Sequence, residues 1–155
     1  MLFLLFQVDK VRYALEARRV VEVLPLLELS RLANAPNGVA GMINYRGRPV
    51  PTIDLSELTA GVPARERLST RILIVKYPDA AGRDHLLGLI AEQATELLRT
   101  EAAAFVQTGL NMDAAPYVGP VLLDDRGPIH WLREQWLLAE PVRDLLFTQA
   151  TMAET

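Results

Sequence analysis

From Gly41 to Leu55 the chain reads Gly-Met-Ile-Asn-Tyr-Arg-Gly-Arg-Pro-Val-Pro-Thr-Ile-Asp-Leu, two extended arms folded about a polar tip. In an extended arm, alternate residues share a face, so Met42, Asn44 and Arg46 point one way and Ile43 and Tyr45 the other. Gly47 supplies the conformational freedom of a turn, read here at Gly47-Arg48. Pro49 and Pro51 stiffen the return arm and predict an edge strand, because proline has no N–H to give to a ladder. An arginine held at such a tip needs an acceptor, and Glu22 in the preceding strand is the nearest in sequence. That pair is either an ion pair joining two strands or part of a contact surface. Gly41 is expected where a side chain would project from a strand at a close approach.

Working outward, strand-like runs separated by turn residues continue in both directions. Residues 2–8 form one run and Arg12 to Leu15 another, with a turn at Asp9-Lys10. A helical turn over Glu16 to Arg19 precedes the β-branched run Val20 to Leu24, and a long connection follows to Gly38. Downstream, Ser56-Glu57-Leu58 is a short helix. Thr70 to Tyr77 is a strand with Ile72 and Ile74 on one face and Leu73 and Val75 on the other. Leu86 to Leu98 is a strand bending near Glu92-Gln93. Tyr117 to Leu123 and Pro128 to Leu132 make a hairpin about Asp124-Asp125-Arg126-Gly127, whose aspartates and glycine are turn chemistry. Leu138, Val142, Leu145 and Leu146 fall on one helical stripe, with Pro141 in the first turn. Residues 99–115 fit no element. The pattern predicts an all-β protein of barrel or sandwich type with a short C-terminal helix, built from two successive groups of about five strands. Residues 1–148 make a single domain and 149–155 a frayed tail.

Composition narrows the chemistry. The 155 residues include no cysteine and two histidines, with half of them hydrophobic and a formal net charge of -3. A chain of this length can hold a core unaided. Without cysteine there is no disulfide framework, thiolate metal site or thiol nucleophile. His85 beside Asp84 reads as an exposed surface histidine and His130 as a packed strand residue; neither has a metal-ligand neighbour at helical spacing. The three serines lack a nucleophile elbow, and the scattered glycines make no phosphate loop. No catalytic residue, metal ligand or cofactor site is nominated. The mild acidity argues against nucleic acid, and only Tyr45 beside Arg46 and Arg48 resembles a stacking patch. The apolar opening ends at Asp9 without a basic start, which suits neither a signal peptide nor a spanning helix. A soluble, cytoplasmic domain without membrane insertion is expected.

The pattern Gly-x-x-Asn-x-Arg-Gly-x-x-Val-Pro-x-x-Asp-Leu from Gly41 to Leu55 resembles the signature of CheW-like domains, the coupling proteins of bacterial chemosensory arrays. Phe3-x-x-Phe6, Tyr13-Ala14-Leu15, Val20-Val21-Glu22-Val23 and the run Leu87 to Leu98 flank it in the family's order. The resemblance implies two SH3-like five-stranded barrels sharing a core, no catalysis and no cofactor. It implies an adaptor joining a chemoreceptor's cytoplasmic tip to the regulatory domain of a CheA-type histidine kinase. Val20, Glu22, Gly41 and Arg46 match positions that form or support those contacts. A receptor groove between the lobes would be lined about Val21, Val39 and Leu87, residues that serve equally as ordinary core. Tyr45 stands where an aliphatic residue is usual, and Glu92 where aspartate is usual. The Met1 to Phe6 opening, Tyr45 to Pro51 and Pro116 to Val121 look most like WspB-type coupling proteins, whose pathways control cyclic-di-GMP. The alternative from another class is a small barrel that binds nucleic acid or a small ligand.

Overall fold

A computed structural model describes residues 1–107 and 115–154; of the unassigned run at 99–115, residues 108–114 lie outside the described residues. Nine strands are found among the described residues. They are β1 (Leu2–Val8), β2 (Val11–Glu16), β3 (Val20–Pro25), β4 (Val39–Tyr45), β5 (Arg48–Asp54), β6 (Arg71–Pro78), β7 (Asp84–Arg99), β8 (Val118–Asp124) and β9 (Gly127–Leu132). Helix α1 (Leu55–Ala60) follows β5, and α2 (Glu140–Glu154) closes the described chain. The α1 N-terminus is capped by Asp54, whose carboxylate accepts from the amides of Ser56 and Glu57, and Gly61 ends it in the left-handed region at φ 75°.

The strands form two five-stranded SH3-like lobes, but these are interlaced, not successive. The first lobe runs β7–β1–β2–β9–β8 and the second β3–β6–β7–β5–β4. β7 serves both. Its front half pairs with β6 and, at Gly88 to Ile90, with β5; its back half pairs with β1. The halves meet at Gln93, which takes a φ of +49°, the bend expected near Glu92-Gln93. Read from the first strand in each order, both lobes pair antiparallel, antiparallel, parallel, antiparallel. Chain order differs because the first lobe donates β1 and β2 before the whole second lobe is threaded, and is completed only afterwards.

Among the described residues neither ladder closes on itself. In the second lobe β3 and β4 are the end strands, and the segment joining them lies against β4 instead, through Ser30 N to Met42 O (2.9 Å) and Met42 N to Ser30 O (2.8 Å). The first lobe repeats this arrangement. The segment after β7 lies against β8 through Val106 N to Val121 O (2.8 Å) and Val121 N to Val106 O (2.9 Å).

Alternation along the strands divides the core. Ile72 and Ile74 face the second lobe's own interior with Ile43, Val50 and Ile90, while Leu73 and Val75 face the shared seam with Leu4, Phe6, Leu15 and Leu87. Phe3 and Leu5 of β1 turn into the first lobe with Phe105 and Ile129. Strands caught between two interiors are buried on both faces and so read as continuous apolar runs. Each fully buried large side chain contributes about 1.5–3 kcal/mol by leaving water.

Three local expectations are corrected. The hairpin turn sits at Arg46-Gly47, with φ of +51° and +80°, because two consecutive positive-φ residues match the twist of the flanking strands. β5 is an edge only over its first half: Thr52 to Asp54 pair with β7 as well as β4. Pro49 and Pro51 have no N–H to offer, so the outer half stays apart from β7 and α2 packs near it. Helix α2 continues to Glu154 with Ala150 buried, where a frayed tail is expected from 149. Its inner face is Leu146, Phe147 and Ala150, while Leu145 is 45% exposed.

Candidate functional site

The Gly41–Leu55 hairpin brings four groups together at the open margin of the second lobe. Glu22 on β3 accepts from the Tyr45 hydroxyl at 2.6 Å and from Arg46 Nη2 at 2.8 Å, both on the same Oε1 atom. Side chains thus bridge β3 and β4 where no backbone ladder does. The bond to Glu22 is also the main reason the Tyr45 hydroxyl holds its proton to higher pH than usual. Asn44 accepts from the Gly47 amide at 2.9 Å and fixes the tip, and the Arg46 guanidinium carbon lies 5.2 Å from the centre of the Tyr45 ring.

Magnitudes separate the two readings of Arg46. Its side chain is 74% exposed and that of Glu22 35%, and ion pairs this open contribute about 0–1 kcal/mol. The Tyr45 hydroxyl, on a side chain with its ring buried, makes a bond to a charged group worth about 1.5–3 kcal/mol. Tyr45 therefore does most of the bridging. Arg46 is left displayed, with most of its donors facing solvent. Tyr45 is also unsuited to stacking a nucleic-acid base, since only 7% of it is exposed.

Gly41 is at a close approach. Its φ is +149°, and a Cβ added there would lie 2.4 Å from the Ser30 carbonyl oxygen. The glycine lets the 26–38 segment reach β4, and a register shift between Val39 and Gly41 accompanies it. Val20 sits half-buried against the shared core, paired with Val75. The three residues expected about a groove are not brought to one surface. Val21 is 44% exposed, whereas Val39 and Leu87 belong to the shared core, and Leu87 is fully enclosed.

A second arginine–glutamate bridge escaped the sequence reading. Arg126, at the β8–β9 tip, bonds Glu96 on β7 (Nη2 to Oε2, 3.0 Å), which holds Glu96 ionised to lower pH and the arginine protonated to higher pH. This pair spans the open margin of the first lobe as Arg46–Glu22 spans that of the second. The signal was available in Arg46-Gly47-Arg48-Pro49-Val50 and Arg126-Gly127-Pro128-Ile129. Asp124, read as turn chemistry, does accept from the Arg126 amide at 2.8 Å, and it also receives both Nη groups of Arg12 at 2.6 and 2.7 Å. The latter pairing is the larger cause of its strongly depressed carboxyl pKa.

His85, expected exposed, is half-covered: its ring stacks on Phe147 at 4.3 Å between centroids, and Nε2 is 2.8 Å from Asp79 Oδ2. It helps seat α2. Among the described residues no group of three histidine, aspartate or glutamate side chains could hold a metal ion, and no helix is long and apolar enough to cross a membrane.

The fold and this margin can be set beside known proteins. A solved structure of the scaffolding protein TtCheW from Thermoanaerobacter tengcongensis is similar, with a TM-score of 0.76 over 89% of this chain and 87% of that one, at 22% identity. The chemotaxis protein CheW of Helicobacter pylori is 29% identical over 63% of this chain, and the match spans 56% of that protein. CheW of Klebsiella aerogenes is 29% identical over 70% of each chain, and protein FrzA of Myxococcus xanthus 26% identical over 73% of this chain and 68% of its own length. The profile of the CheW-like domain matches residues 2–141, nearly all of the two lobes and their bridged margins, and the chain belongs to that family.

Proposed function

We propose that this protein is a non-catalytic cytoplasmic adaptor that couples a chemoreceptor of the methyl-accepting type to a CheA-type histidine kinase. The displayed Arg46 guanidinium carries the reading: a charge held at a rigid hairpin tip, paired too openly to matter much for folding, suits a contact with another protein. Around it Glu22 and Tyr45 set the arginine's direction, Gly41 shapes the strand behind it, and Val20 supports β3 from the core. Membership of the CheW-like family supports the same assignment. Within that role we assign the protein to a surface-sensing pathway of the Wsp type, with cyclic-di-GMP as output, on the Tyr45 to Pro51 and Pro116 to Val121 sequences.

The test is a pull-down of the full chain against the regulatory domain of the kinase encoded nearest to it, with and without the receptor's cytoplasmic tip. Capture of the kinase domain by the wild type, abolished in Arg46→Ala while circular dichroism stays unchanged, is the expected result. Binding to neither partner would remove the adaptor reading. A kinase that phosphorylates a flagellar regulator instead of a diguanylate cyclase would remove the Wsp-type assignment alone.

A further inference from the structure

The turn between α1 and β6 displays Leu68 with 99% of its surface open, the most exposed large hydrophobic side chain among the described residues. That display is built. The Thr70 amide donates to the Arg67 carbonyl at 3.0 Å and closes the turn, and the Ala94 amide on β7 holds the Ser69 carbonyl at 3.1 Å. The buried Thr70 hydroxyl bonds back to the Arg65 carbonyl, and the Arg65 side chain is tethered to Glu92 at 3.5 Å. By contrast, the flanking Glu66 and Arg67 side chains have neither hydrogen bond nor ion pair among the described residues. A single exposed apolar residue is ordinary on a protein surface. One on a pinned turn loses little further freedom when it is covered, which is what an anchor residue needs.

At the other end of β6, beyond Pro78, lies a cavity of about 700 Å³. Its floor is apolar, with Val50 of β5, Leu86 of β7, and Phe147 and Ala150 of α2. Asp84 and Asp144 stand on its border. Arg83 joins them, 83% exposed and no nearer to Asp79 than 4.0 Å, while Arg48 borders it with a partner of its own.

We propose that this cavity receives the Leu68 turn of a second copy of this chain, with Leu68 on the apolar floor, Arg67 against Asp84 and Asp144, and Glu66 toward Arg83. The occupant follows from complementarity. An apolar tip between a cation and an anion meets an apolar floor between carboxylates and a guanidinium, and matched signs of this kind fix register and exclude wrong partners. Eight residues of β6 at about 3.3 Å each set turn and cavity about 25 Å apart, so no chain fills its own cavity. The contact is therefore head-to-tail, and a head-to-tail contact that does not close on itself adds copies in a line. One turn tip in one cavity buries less than the about 1,000 Å² of a stable interface, so the association is weak and appears at high concentration. Neither surface contains Arg46, Glu22, Arg126 or Glu96, so the inference does not depend on the adaptor reading.

The experiment is sedimentation velocity on the full chain from about 10 to 500 µM, the range in which so small an interface is read. Wild type is expected to sediment faster as concentration rises, and less so when salt is raised from about 50 to 300 mM. Leu68→Ser removes the anchor, and Thr148→Lys, on the exposed face of α2 at the cavity border, obstructs the cavity and repels Arg67. Each variant alone should self-associate at least tenfold more weakly than wild type. Mixed in equal amounts they should form a heterodimer that grows no further, because only the turn of one and the cavity of the other remain intact. Thermal melting checks both folds; if Thr148→Lys unfolds, Asp144→Lys at the same border takes its place. A wild-type chain that stays monomeric throughout overturns the inference. So does a Leu68→Ser chain that associates like wild type, or a mixture no more associated than its two components.

Discussion

Gly41→Ala tests the account of the second lobe most severely. The added Cβ would stand 2.4 Å from the Ser30 carbonyl oxygen, a backbone atom that cannot swing aside as a side-chain tip can, and the φ of +149° is one that alanine resists. Two escapes are open. In one, the backbone keeps its path at a strain cost of about 1–3 kcal/mol for the disfavoured conformation, with the clash added. In the other, the 26–33 segment lifts off β4, giving up the two Ser30–Met42 hydrogen bonds, about 1 kcal/mol each, and part of the packing of Leu26 and Leu29 on the second lobe's core. Since both routes lead to a similar total, the loss should be about 3–5 kcal/mol, of an overall stability of order 5–15 kcal/mol. At about 2–4 °C per kcal/mol for a chain of this size, the melting midpoint falls by about 6–20 °C. Calorimetry measures the fall, and native-state hydrogen exchange locates it: the amides of Ser30 and Met42 should lose protection well before those of β6. Gly47→Ala is the control, with nothing within 4 Å of its Cβ and only the left-handed φ to bear. A Gly41→Ala protein melting within 2 °C of wild type, with Ser30 and Met42 still protected, would refute the close-approach argument. The result also bears on binding: a Gly41 variant that no longer captures the kinase domain would do so through a displaced segment rather than a missing surface group.

Three further outcomes are expected. Tyr45→Phe keeps the ring and loses the bond to Glu22, lowering stability in urea by about 1.5–3 kcal/mol; a change below 0.5 kcal/mol would return the bridging role to Arg46. Arg46→Ala should cost less than about 1 kcal/mol in the same assay while abolishing capture of the kinase domain, the dissociation of stability from binding that marks a contact residue. His130 gives a pH dependence. Its Nδ1 is buried and has no hydrogen-bond partner among the described residues, and burial depresses its pKa below the ordinary 6.5, so the folded state favours the neutral ring. That contribution is fully present above the unfolded-state value and is lost as pH falls through the depressed folded-state value. Wild type should therefore lose stability as pH falls below the ordinary 6.5 toward the depressed folded-state value, and His130→Leu should lose less over the same range.

Much of the strand pattern was legible because it depends on neighbours in sequence. Asp9-Lys10 is the two-residue turn expected, the second hairpin turns one residue earlier than expected, and the alternation of Ile72 and Ile74 with Leu73 and Val75 survives as a division between two interiors. Glu22 as the acceptor for Arg46 was also within reach, since strand, turn and charge signs left few other candidates. What was not legible depends on contacts between distant segments. The part of Tyr45 rests on a hydroxyl reaching 23 residues back, and the cover on His85 comes from Phe147, 62 residues later. Leu87 and Val39, apolar in sequence, could have lined a groove or a core. Only the packing of the two lobes decided for the core.

The interlacing of the lobes hides their likeness in the linear sequence. In the second lobe the chain runs end strand, bridging segment, tip hairpin, then the β6–β7 hairpin; in the first, the equivalent of that last hairpin, β1–β2, is made at the start and the remainder follows β7. No fixed period relates the two, because one copy is cut and its pieces, ending at Glu16 and resuming at Glu92, lie 76 positions apart. Placed in spatial order, the parts correspond. Glu22 answers to Glu96, Ser30–Met42 to Val106–Val121, and Arg46-Gly47 to Arg126-Gly127. Both lobes leave one margin without a ladder and span it with an arginine from a hairpin tip and a glutamate from the end strand. Exposed strand edges invite unwanted pairing, and a segment laid along the edge with a charged bridge above it is one way to blunt them. Since the same bridge in the second lobe also displays a charge to solvent, one arrangement of side chains covers the edge and, on the proposed adaptor reading, would present the contact. Tyr45 serves the first of these through its bond to Glu22, and Arg46, more open to solvent, would serve the second.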